Sequence, residues 1–112
     1  MLNILVIIIV VHALIHLYGF INNRFLRASP QIAWKSIFYL SVQAEKNIGL
    51  LWLAAFLLFL ISAISLVYGM LWWVIIAIVS IIISQLLIIL YFKNIWISTI
   101  GNLMILAAIV WF

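Results

Sequence analysis

The sequence contains no cysteine and a single carboxylate, Glu45. The first absence excludes thiol–disulfide exchange, thiolate metal sites, iron–sulfur clusters and covalent haem attachment. The second excludes, within one chain, a paired-carboxylate hydrolase, a carboxylate-bridged di-metal centre and a Ser-His-Asp triad. Glycine occurs only at Gly19, Gly49, Gly69 and Gly101, too dispersed for a phosphate-cradling loop. Charge is scarce as well: 5% of residues are charged, where a water-soluble domain carries about 25%. Such a chain cannot cover a globular surface with polar groups.

What remains is apolar: 72% of the 112 residues are hydrophobic. Four spans of about 20 residues would use roughly 80 of them. The chain therefore reads as a single-domain, all-α integral membrane protein, a four-helix bundle. The expected spans are Leu2–Phe20, Asn47–Tyr68, Leu71–Phe92 and Ile95–Phe112. The first has no basic residue before it and no small-residue cleavage motif after it, so it reads as a span and not as a removable signal peptide. Gly69 and Met70 alone join the second and third spans, which makes these antiparallel neighbours.

Between the first two spans lies the only stretch of soluble-like composition. There, Ser29 followed by Pro30 is an N-cap and first-turn signature. Ala33, Trp34, Ile37, Phe38 and Ser41 then recur at helical spacing, which predicts a short helix in the membrane interface.

The net charge of +4 does not form a basic stripe for nucleic acid; its job is orientation. Arg24, Arg27, Lys35 and Lys46 follow the first span, Lys93 follows the third, and no cation lies in the Gly69 turn. The positive-inside rule places this face in the cytoplasm and both termini outside. Arg24, Arg27, Glu45 and Lys46 are read as interfacial residues: the arginines contact headgroups, and Glu45 sits at a helix start that favours negative charge.

Four polar residues stand out inside the spans. His12 and His16, four apart, project from one face of the first helix. At about 1.5 Å per residue they lie roughly 13 Å and 7 Å from its cytoplasmic end, while Gln85 and Asn102 lie about 10 Å from theirs. With those faces inward, all four can line one polar pocket, walled by apolar residues of the second span. Two uses compete: helix–helix glue at roughly 0.6 to 2 kcal/mol per bond, or a ligand site, for instance for a quinone whose carbonyl accepts from an imidazole. A metal site lacks a declared third ligand, and no catalytic residue is assigned. Two imidazoles on one side of one helix cannot ligate a haem from both faces.

The run His-Ala-Leu-Ile-His-Leu-Tyr-Gly-Phe (His12 to Phe20), the Gly-Leu-Leu-Trp-Leu opening of the second span (Gly49 to Leu53) and Trp72-Trp73 followed by Ser84-Gln85-Leu86 resemble small bacterial four-span membrane proteins of DoxX-like type. The resemblance implies a four-helix bundle acting as an accessory membrane subunit, or in quinone-linked oxidation. The small multidrug transporters are similar in size and topology only; where they carry an embedded glutamate in the first span, this chain carries histidines. The expected function is thus a non-enzymatic subunit or binding module of a membrane complex, with a protein partner or its own copies. A quinone- or lipid-binding redox component is the alternative, and a small transporter the third reading.

Overall fold

The computed structural model describes residues 2–26 and 41–111. Helix α1 (Leu2–Ile21) runs into a π-helical turn at Asn22–Leu26; then come α2 (Val42–Val67), α3 (Trp73–Leu90), the single turn α4 (Phe92–Ile95) and α5 (Ser98–Trp111). No strand occurs among the described residues, and the architecture is an all-α helical bundle. The interfacial helix expected from Ser29 and Pro30 falls outside the described residues, as does Arg27.

Local chemistry sets the helix ends. Ser41, extended at φ −67° and ψ 161°, caps α2: its hydroxyl accepts from the Ala44 amide at 3.1 Å, satisfying one of the orphan donors of the first turn. Ser41 is thus the start of α2 and not the tail of an interfacial helix, and α2 begins five residues before the expected Asn47. At its other end α2 stops in a Schellman motif. Gly69 donates to the Leu66 carbonyl (3.1 Å) and Met70 to that of Ser65 (2.9 Å). Gly69 has φ 71°, a left-handed conformation that disfavours any residue with a Cβ.

The last expected span, Ile95–Phe112, is broken. Thr99 donates to Trp96 (3.1 Å) and Ile100 to Ile97 (3.0 Å), tight i to i−3 turns that separate α4 from α5. Three helices, α1 with its π turn, α2 and α3, are long and apolar enough to cross a membrane. Helix α5 is apolar but has 14 residues. At about 1.5 Å per residue it covers about 21 Å of a hydrocarbon layer near 30 Å.

The helices pack in a ring: α1 on α2, α2 on α3, α3 on α5 and α5 on α1. Inward positions recur every three or four residues, as in Leu5, Ile9, His12, Ala13 and His16 of α1, and Trp52, Ala55, Phe59, Ala63 and Leu66 of α2. The outward positions are apolar too, including Ile4, Ile7 and Val11, which is the pattern of helices surrounded by lipid. One apolar cluster, built on Leu5, Ile9, Phe59, Trp73 and Ile105, fills one half of the bundle. A second, of Trp52, Leu87, Ile88 and Tyr91, fills the other.

Candidate functional site

Between the two clusters lies a buried polar layer. The His16 ring is fully buried; its Nδ1–H donates to the His12 backbone carbonyl one turn earlier, at 2.8 Å. A carbonyl can only accept, so the proton sits on Nδ1 and Nε2 of the neutral ring is an acceptor. The Ser84 hydroxyl of α3 donates to that Nε2 at 2.6 Å. Its single proton being used there, Ser84 Oγ accepts from the Asn102 amide of α5 at 3.0 Å. Asn102 Oδ1 accepts from His12 Nε2–H at 2.7 Å, and the Asn102 amide also donates to Gln85 Oε1 at 3.1 Å. Gln85 in turn donates to Thr99 Oγ1 at 3.2 Å. The backbone carbonyl fixes the His16 tautomer and the Ser84 hydroxyl, and the Asn102 amide, with Oδ1 toward His12 and the nitrogen toward Ser84 and Gln85, gives the two imidazoles opposite tautomers.

All four residues singled out by sequence, His12, His16, Gln85 and Asn102, take part in this layer. Helix α2 adds the apolar wall: Phe59 lies edge-on to His12 at 5.0 Å and against His16 at 5.2 Å, and Trp52 tilts against His16 at 5.2 Å. Ser84 and Thr99 were not singled out for this site. A serine in an apolar helix usually bonds its own i−4 carbonyl, as Ser80 does with Ile76 at 2.7 Å, so residue type alone does not mark it.

Every N–H of this layer with a described hydrogen bond points at another residue of the same chain. A carbonyl ligand such as a quinone, which needs a donor, would have to displace one of these bonds. The His16 ring has both nitrogens engaged and is fully buried. His12 differs: it lines an open groove between α1 and α5 together with Ile8, Val11, Ser98, Gly101 and Met104.

A second polar cluster closes the other end of α1. Asn23 in the π turn donates to the Glu45 carbonyl at 2.8 Å and to the Tyr91 hydroxyl at 2.7 Å, and accepts from Asn22 at 3.0 Å. The cluster ties α1, α2 and α3 together. Asn22, Asn23 and Tyr91 are buried. Of the predicted interfacial residues, Arg24 is half-buried in the π turn with Cγ near Gly49, Glu45 lies in the first turn of α2, and Lys46 follows it, also half-buried.

No family model, curated protein or solved structure matches this chain.

Proposed function

We propose that this chain is a non-enzymatic membrane subunit or binding module of DoxX-like type, which threads the bilayer four times and packs against a protein partner or its own copies. The observation that carries the reading is the closure of the polar layer. The N–H and O–H donors described in it are used inside the bundle, so the layer holds helices in register and leaves no acid to offer a substrate. The outward faces carry exposed aliphatic side chains on every long helix, a surface suited to lipid and to other helices.

In this reading α5 is the fourth span and the cation end faces the cytoplasm of a bacterial inner membrane. In support, Arg24, Lys46 and Lys93 all lie within two residues of the Asn23–Glu45–Tyr91 cluster, and so gather at one end of the bundle.

Two measurements test it. The tagged full chain, extracted from membranes in mild detergent, is expected to run as a complex of fixed stoichiometry larger than one chain; a uniform monomer overturns the subunit reading. Because the chain has no cysteine, Met70→Cys and Lys93→Cys report topology cleanly. An impermeant maleimide added to intact cells should label the first and spare the second, and the opposite pattern overturns the orientation.

A further inference from the structure

We propose that the groove between α1 and α5 binds a lipid-soluble alcohol, whose hydroxyl donates a hydrogen bond to Nδ1 of His12. His12 gives its Nε2 proton to Asn102 Oδ1, which leaves the lone pair of the neutral ring on Nδ1. Nδ1 makes no hydrogen bond to any described residue and keeps some accessible surface beside the groove that His12 lines, although the residue as a whole is 3% exposed. An acceptor without a donor is costly where only hydrocarbon can meet it. What it lacks is a donor, and this sets the ligand chemistry: a hydroxyl fits, whereas a carbonyl or an ether oxygen does not.

The shape of the groove supplies the rest. Gly101 of α5 faces the same edge of the imidazole, and a Cβ there would stand 2.6 Å from Nδ1. Glycine thus leaves this edge uncovered where any other residue would shield it. The groove beside His12 measures about 260 Å³. Past Ile8 and Met104 it meets a second hollow of about 380 Å³ lined by Leu5, Ala107, Ala108 and Trp111, apolar throughout and of small-molecule size. His12 lies about 15 Å along α1 from Leu2. A bound molecule would therefore place its hydroxyl at mid-helix, where lipid offers no other partner, and its hydrocarbon chain along the seam toward Trp111.

This inference rests on the geometry of the polar layer and not on the subunit reading, so a failed ligand test leaves the complex-size test standing. The experiment uses the full chain with ¹⁵N-labelled histidine in phosphatidylcholine nanodiscs. It is titrated with 1-dodecanol or farnesol, and with the methyl ethers of both and dodecane as controls. At least one alcohol should move the His12 Nδ1 resonance saturably while His16 stays in place; an alkyl-only or an isoprenoid-only response identifies the chain type. The matching ether should bind more weakly by on the order of tenfold, the worth of one hydrogen bond. Met104→Trp fills the seam from an exposed position without touching the polar layer, and should abolish the shift while leaving both tautomers unchanged. Three results overturn the proposal: no shift with either alcohol, an equal shift with ether or dodecane, or undiminished binding to the Met104→Trp variant.

Discussion

Two glycines of this bundle each face an aromatic ring, and the contrast between them separates a closed seam from an open one. A Cβ on Gly19 would overlap the Trp52 indole at several ring atoms. That indole is fully buried, held between His16 at 5.2 Å and Tyr91 at 5.8 Å, and has nowhere to go. A Cβ on Gly101 would also press on a ring, at His12, but His12 borders a groove. The first glycine lets α1 and α2 meet without a gap. The second lets α5 approach α1 while leaving one edge of an imidazole open. The same residue type thus serves cohesion on one side of α1 and access on the other.

Substitutions should break this contrast in a defined order. Gly19→Ala gains about 1 kcal/mol of helix propensity, yet overpacking against a ring fixed on both sides costs up to about 3 kcal/mol. A net loss of up to about 2 kcal/mol is expected in an SDS-unfolding titration, and no loss would show the α1–α2 seam to be loose. Asn102→Leu should follow at about 1 to 2 kcal/mol, because it strands His12 Nε2–H and removes the donor to Ser84 and Gln85. In a double-mutant cycle with Ser84→Ala the two losses should be non-additive, since both residues belong to one network; simple additivity would argue against that coupling. Gly101→Ala should cost less, about 1 kcal/mol, because its Cβ would come closer than 3.0 Å to one atom of the His12 ring, where a Cβ on Gly19 would overlap three atoms of the Trp52 indole, and the propensity gain offsets part of the shift. If Gly101→Ala proves as damaging as Gly19→Ala, the two seams are equally tight and the contrast fails.

Much of this arrangement is legible in the sequence. Helices apolar on all sides, the Gly69–Met70 reversal and the i, i+4 spacing of His12 and His16 follow from composition and period alone. That Gln85 and Asn102 meet them follows from counting residues along each helix. Other features leave no comparable mark. Ser84 is hidden because serine in an apolar helix can satisfy itself on its own backbone. The break before α5 contains neither glycine nor proline, the usual punctuation of a helix end. Asn22, Asn23 and Tyr91 sit where a polar interface is expected, so their burial and their joining of three helices emerge only from tertiary packing. Ser41 follows an apolar stretch and looks like the end of a helix, although it begins one.

The most direct test of the account is the tautomeric state of the two histidines, read from ¹⁵N chemical shifts and one-bond ¹H–¹⁵N correlations of the full chain in lipid bilayers. A bundle closed by the His12–Asn102–Ser84–His16 chain requires the proton on Nδ1 of His16 and on Nε2 of His12. Finding His16 protonated at Nε2, or both rings in the same tautomer, would contradict the polar layer and the roles built on it.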